Sequence, residues 1–257
     1  MATDTKSRPA WVELATDDPA AAREFYRQLL GWDVVVSDDP QYGGYAMARL
    51  SDGEGDVAGI TAKMMPEAPT AWTLYIGTDD AAALGDAVQA AGGTVMAPAF
   101  DVGDMGKMAV FADPTGAVIS AWQAAGPRSF RTGDVGAMGW AELSSRDIDK
   151  AKGFYGQVFG WTAETSPMGE GQPDYTTFKV GDEGIVGGME MTPMVPADVP
   201  SYWMVYFNVS DVDAAFTKAI ELGATELVAS SPMTGGRFAI VNDPQGAMLG
   251  LLKTDQG

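Results

Sequence analysis

Two short strings carry the most chemical promise in this sequence. Trp11-Val12-Glu13 and Trp140-Ala141-Glu142 set a carboxylate two residues from an indole, and in a strand, whose side chains alternate, both would leave one face. A carboxylate walled by aromatic rings loses hydration, its pKa rises, and it becomes a general base near neutral pH. Tyr75 and Tyr206 recur in the same fashion, in WTLY (72–75) and WMVY (203–206), and a phenol near such a base serves as acid or as donor to an oxyanion. The same residues could bind without reacting, since aromatic walls supply area and one polar group fixes orientation. They could also be plain packing, with Glu13 and Glu142 paired to Lys107 or Arg237 on a neighbouring strand.

Composition narrows the chemistry further. The chain has 257 residues and contains neither His nor Cys. Imidazole general bases, Ser-His-Asp and Cys-His catalysis, thiolate nucleophiles, disulfides and zinc–thiolate sites are therefore impossible within it. Sixteen basic against 35 acidic residues give a formal charge of −19, a field that repels nucleic acid and anionic membranes. The same charge serves solubility, and it would favour a cationic ligand. No long apolar run marks a membrane span, and Met1–Pro9 has no hydrophobic signal region. The expectation is a cytoplasmic protein that binds a small molecule and touches neither nucleic acid nor membrane, as a monomer or homodimer.

The elements that would position these residues come as a repeat. Between Trp11–Trp32 and Trp140–Trp161 ten positions are identical at an offset of 129: Trp11, Glu13, Leu14, Asp18, Ala22, Phe25, Tyr26, Gln28, Gly31 and Trp32. DPTG (113–116) likewise parallels DPQG (243–246). Within each half, 11–15 reads as a strand. Asp18-Pro19 then opens a helix bearing Ala22, Phe25, Tyr26 and Leu29, and Gly31 stops it. Strands follow near 45–50 and 57–62. A second strand at 72–77 leads to a helix from Asp79 or Asp80 to about Ala91, and strands near 107–112 and 117–122 flank the DPTG turn. The order β-α-β-β-β thus occurs twice per half. The class is α+β, a tandem duplication with a first domain at 1–125 (modules about 11–65 and 72–122), a linker at 126–139 and a second domain at 140–257 (modules about 140–192 and 203–253).

The D-x(6)-FY…GW signature (Asp18, Phe25, Tyr26, Gly31, Trp32; Asp147, Phe154, Tyr155, Gly160, Trp161) and the two DP-x-G turns resemble the vicinal-oxygen-chelate superfamily of glyoxalases, bleomycin-resistance proteins and dioxygenases. More narrowly, the chain is similar to two-domain actinobacterial glyoxalase-like proteins, some labelled hydroxylases by analogy. The resemblance implies curved sheets, or cups, with helices outside. In metal-dependent members His and Glu ligands project from the first and last strands of a module. Carried onto this chain, those places fall on Trp11 and Trp140, Thr73 and Met204, Ser120 and Gly250, and, less directly, Thr61 and Glu190. Glu190 alone is a credible ligand among the eight, whereas a tightly held divalent ion needs at least three donors. The expectation is no metal and no cofactor. A calcium or magnesium ion on loop carboxylates such as Asp101 and Asp104 is a minor alternative.

Strand alternation from those places puts Trp11, Glu13, Thr73, Tyr75, Ser120 and Trp122 in one cup, and Trp140, Glu142, Met204, Tyr206, Gly250 and Leu252 in the other. The intervening residues, such as Leu74, Ile76, Ile119 and Ala121, read as core. Whether modules pair within each half or across halves stays open, and it changes which residues share a cup. Fifteen Met residues, including Met64, Met65, Met191 and Met194 between modules, could adapt to an irregular ligand or fill the core. The favoured reading is a metal-independent binder that sequesters an aromatic or cationic natural product. A cofactor-independent isomerase, cyclase or lyase with Glu13 or Glu142 as base and Tyr75 or Tyr206 as acid is the alternative; a metal-dependent glyoxalase or hydroxylase ranks behind both, and a scaffold with filled cups is the blandest outcome.

Overall fold

Periodicity sets the local structure of each module. In the computed structural model, which describes residues 6–126, 130–169, 171–193 and 195–255, β1 (Pro9–Thr16) alternates strictly between half-buried and buried side chains. Val12 and Leu14 are fully buried on one side, and Trp11 and Glu13 stay half-buried on the other. The chain then turns into α1 (Pro19–Leu30), where the Asp18 carboxylate accepts from the amides of Ala20 and Ala21 at 3.1 and 3.0 Å. Gly31 closes the helix at φ 72°, a left-handed conformation that glycine adopts without steric cost. Three strands complete the module: β2 (Asp33–Val36), β3 (Ala46–Arg49) and β4 (Asp56–Ala62).

The same plan recurs as β5 (Ala71–Gly77), α2 (Ala83–Ala90), β6 (Thr94–Val102), β7 (Gly106–Ala112) and β8 (Val118–Ala124). The second half repeats both modules. Its first contains β9 (Met138–Ser145), α3 (Ile148–Phe159), β10 (Thr162–Ser166), β11 (Tyr175–Val180) and β12 (Glu183–Glu190). Its second contains β13 (Tyr202–Asn208), α4 (Val212–Glu221), β14 (Thr225–Met233), β15 (Gly236–Asn242) and β16 (Met248–Thr254). Strand order is β2-β3-β4-β1-β5-β8-β7-β6 in one sheet and β10-β11-β12-β9-β13-β16-β15-β14 in the other. The first and last strands of a module pair in parallel, as β1 with β4 and β5 with β8, and the other pairs within each module are antiparallel. This is the α+β duplication expected from the sequence.

Compaction follows another grouping. One compact unit gathers 6–10, 74–126 and 140–203; the other gathers 11–73, 130–139 and 204–255. Each is thus built from modules of different halves, the crossed arrangement that the sequence left open. Each is closed by the same buried relay. In the second unit Trp72 donates to the Tyr26 hydroxyl at 3.0 Å and Tyr26 donates to Asp243 at 2.9 Å. In the first, Trp203 donates to Tyr155 at 2.8 Å and Tyr155 to Asp113 at 2.9 Å. Asp113 also caps its own DPTG turn, accepting from the amides of Thr115 and Ala117. Burial first, and then the facing carboxylate, holds both tyrosine hydroxyls well above an ordinary phenol. Trp32 and Trp161, also fully or nearly buried, donate to the carbonyls of Gly136 and Ser7 at 2.6 Å each.

Residues 130–139 do more than connect. Phe130 bridges to Asp56, and Arg131 binds Asp52 and Asp134 within the same unit. Pro127, part of the expected linker, and Met194 lie outside the described residues.

Candidate functional site

The face of β1 opposite its buried residues holds a compact polar motif, and β9 holds its copy. Trp11 Nε1 donates to the Tyr45 hydroxyl at 2.8 Å, and Trp140 Nε1 donates to the Tyr175 hydroxyl at 2.8 Å. The neighbouring strand makes room by carrying glycine. Glu13 is in register with Gly59, and Glu142 with Gly187. A Cβ on Gly59 would lie 1.8 Å from the Tyr45 oxygen, and one on Gly187 would lie 1.9 Å from that of Tyr175. Each hydroxyl therefore fills the space that the glycine leaves open. In the second copy Tyr175 donates to Glu142, and burial together with the Glu142 charge holds the phenol well above its usual range. In the first copy Phe130 packs edge-on against Trp11, ring centroids 5.5 Å apart.

Chemically, this is a carboxylate beside a phenol whose oxygen is fixed by an indole N–H. It can hold a proton, accept a hydrogen bond from a ligand, or offer a flat aromatic edge. Tyr45 and Tyr175 were absent from the sequence-based candidates. They stand 130 residues apart and the glycines 128 apart, so a comparison at the fixed offset of 129 steps past both. Allowing each loop its own length would have aligned YAMAR (45–49) with YTTFK (175–179).

The other face of interest lies on β5, β8 and β7. Tyr75 is in register with Ser120, and Ser120 with Val110; beside them Trp122 opposes Met108, which opposes Phe100 on β6. Leu74, Ile76, Ile119 and Ala121 fill the reverse side completely buried, as expected for the core. Ser120 is fully buried, and its hydroxyl has no hydrogen-bond partner. The equivalent face in the second half is built on β13, β16 and β15. There Tyr206 is in register with Gly250, Gly250 with Ile240, and Leu252 with Phe238. A Cβ on Gly250 would lie only 1.9 Å from Tyr206 Cδ1, so the Tyr206 ring occupies the space above that glycine. Met204 and Leu252 are buried beside it. Thr73 is half-buried on β5.

Two sequence-based expectations need revision. Glu190 is exposed at the end of β12 and in register with Ser145, not with the Trp140/Glu142 side of β9. Thr61 is in register with Ala15 on the Trp11/Glu13 side, so its structural counterpart is Met189, one residue before Glu190. A one-residue slip reverses the face of a strand residue, and unequal hairpins at 50–55 and 181–182 hid the slip. Lys107 pairs with Asp101 and Arg237 with Asp213. Met64 and Met65 are largely exposed. A small cavity of about 230 Å³ lies elsewhere, lined by Leu30, Val135, Asn208, Asp211 and Lys218, and is below the usual size for a drug-sized ligand.

A sequence-family model described as the glyoxalase/bleomycin resistance protein/dioxygenase superfamily matches residues 8–120 and again 137–251. CFP32 of Mycobacterium tuberculosis, which bears a provisional glyoxylase name, is 40% identical over 252 residues, spanning 95% of this chain and 94% of its own. The anthracycline biosynthesis protein DnrV of Streptomyces peucetius is 34% identical over 266 residues, spanning 97% and 94%. Among solved structures, a Mn(II)-bound glyoxalase from Novosphingobium aromaticivorans matches with a TM-score of 0.65 at 17% identity, covering 96% of this chain and 82% of that one.

A divalent ion of that kind does not suit the side chains present. Trp11 and Trp140 offer N–H donors already engaged with phenols, Gly250 offers no side chain, and Glu190 lies on the other strand side. Among the described residues no three His, Cys, Asp or Glu side chains gather as a metal site requires. No described helix is long and apolar enough to cross a membrane.

Proposed function

The chain belongs to the glyoxalase/bleomycin resistance protein/dioxygenase superfamily, and from that footing we propose that it is a metal-independent small-molecule-binding protein for an aromatic or cationic natural product. The observation that carries this reading is the duplicated Trp–Tyr–Gly arrangement, which spends an indole and a phenol on each sheet face where metal-dependent relatives need ligands. Glu13 and Glu142 supply the polar anchors, with Trp11, Trp140, Thr73, Met204, Ser120 and Trp122 as further contacts. The net charge of −19 favours a cation, and the likeness to a protein named for anthracycline biosynthesis favours a fused aromatic ring system. In this reading the domains are 1–125 and 140–257, joined by 126–139, and the protein works in the cytoplasm as a monomer or homodimer.

Native mass spectrometry of freshly purified protein tests it. The bare polypeptide mass, together with uptake of an anthracycline added as probe, is the expected result. A retained divalent metal, or no uptake and no change in Trp fluorescence across a panel of planar and cationic aromatics, overturns it.

The Tyr175–Glu142 bond favours one second reading, a cofactor-independent isomerase, cyclase or lyase. Glu142 would take a substrate proton and the phenol would return one, so Tyr175 joins Tyr75 and Tyr206 as candidate acid, and Glu13 repeats the base in the first half. Unchanged turnover in Glu13→Gln and Glu142→Gln proteins excludes that chemistry.

A further inference from the structure

The two β5-type faces share one ancestry and one register, yet their floors are opposite in character. On β16 the floor residue is Gly250, and the Tyr206 ring lies where a Cβ would be. On β8 the floor residue is Ser120, which has that Cβ and therefore denies the Tyr75 ring the place taken by its counterpart. Beside the floor, Trp122 replaces Leu252; the tryptophan is half-buried where the leucine is buried. The walls of the first face, Trp122, Met108 and Phe100, are otherwise apolar, and Phe100 is 37% exposed. An apolar wall gives the Ser120 hydroxyl no partner, and a buried hydroxyl left unmade is destabilising. Nothing in packing favours it over alanine.

We infer that the first-half face on β5, β8 and β7, and not its second-half copy, receives the ligand, and that the Ser120 hydroxyl is held there for a carbonyl or phenol oxygen on a planar aromatic ring. The inference rests on the binding reading above and deepens it: it fixes the half of the chain, the stoichiometry and one polar feature of the ligand. The Trp122 and Phe100 rings supply the stacking surface and Met108 the adaptable edge. The hydroxyl is covered in the free chain, so entry of the ligand turns a side chain of this face, a change common at binding sites.

The test uses the full chain with two probes of equal ring size: 1,4-dihydroxyanthraquinone, which carries ring oxygens, and 9-(aminomethyl)anthracene, which does not. The expected results are one equivalent of dihydroxyanthraquinone bound per chain, about tenfold weaker binding in Ser120→Ala, and an unchanged affinity of that variant for the anthracene. The ligand-free Ser120→Ala protein should also melt higher than the parent, because it loses only an unmet hydrogen-bonding group. Two equivalents per chain, equal affinity of parent and variant for the quinone, or a lowered melting temperature overturns the Ser120 subsite while leaving the binding reading intact. Failure of the parent chain to bind either probe overturns the binding reading and the subsite together.

Discussion

The buried relays and the faces on β8 and β16 descend from the same duplication, but of these two only the relays have stayed alike. Trp72–Tyr26–Asp243 and Trp203–Tyr155–Asp113 agree in residue type, burial and bond length to within 0.2 Å. The faces on β8 and β16 have parted, one floored by a serine with an unmet hydroxyl and the other by a glycine roofed with tyrosine. A relay that leaves a buried carboxylate and an indole N–H unmet when altered tolerates little change. A face meeting a ligand is free to differ, and one copy suffices for the task. In this pair of regions, similarity between the halves goes with what holds each unit together internally, and dissimilarity with the face that meets the ligand.

The comparison breaks most sharply at Gly250. Gly250→Ala should cost about 3 kcal/mol in denaturant unfolding, because the Tyr206 ring must leave its place, whereas Ser120→Gly should cost no more than about 1 kcal/mol. Equal costs would erase the distinction between the faces. Next come the relays: Tyr26→Phe and Tyr155→Phe should each destabilise by about 2 kcal/mol, and by similar amounts, since each strips one donor from a buried aspartate and one acceptor from a buried indole. A large effect in one and none in the other would show that the relays have diverged too. Gly187→Ala should cost about 1 kcal/mol, since the far ends of Tyr175 and of the Trp140 indole must shift, and the altered Trp140 environment should be visible in fluorescence.

The smallest effect is electrostatic. Tyr26, Tyr155 and Tyr175 keep their protons in the folded chain beyond the pH at which an ordinary phenol ionises. Above about pH 10 the unfolded chain therefore binds fewer protons than the folded one, and stability falls as pH rises. An absorbance titration of the native protein should show these three ionising later than a free phenol does. Glu142→Gln should bring Tyr175, and neither of the others, toward earlier ionisation.

Much of the architecture was legible because it is written locally. Asp18 and Asp147 cap their helices as their positions promised, Gly31 and Gly160 end them, and alternation along β1 and β9 sorted core from face. What escaped depended on loop length or on distant partners. Tyr45, Tyr175, Gly59 and Gly187 slide by one residue against the repeat, and the face of Glu190 turns on the same slip. The tyrosine of the FY signature and the aspartate of DP-x-G were visible as family marks, but nothing in the local sequence says that Tyr26 meets Asp243 rather than Asp113.

That crossing has a consequence for how the protein is made. Tyr155 meets an aspartate 42 residues earlier in the chain, already synthesised when the tyrosine emerges. Tyr26 meets one 217 residues later. At translation rates of about 5–20 residues per second, α1 waits roughly ten to forty seconds on the ribosome for the residue that completes its relay. During that interval Tyr26, Trp32 and Trp72 have no aspartate and no Phe207 to cover them, and the nascent chain offers a ring-rich surface to chaperones before it offers any face to a ligand.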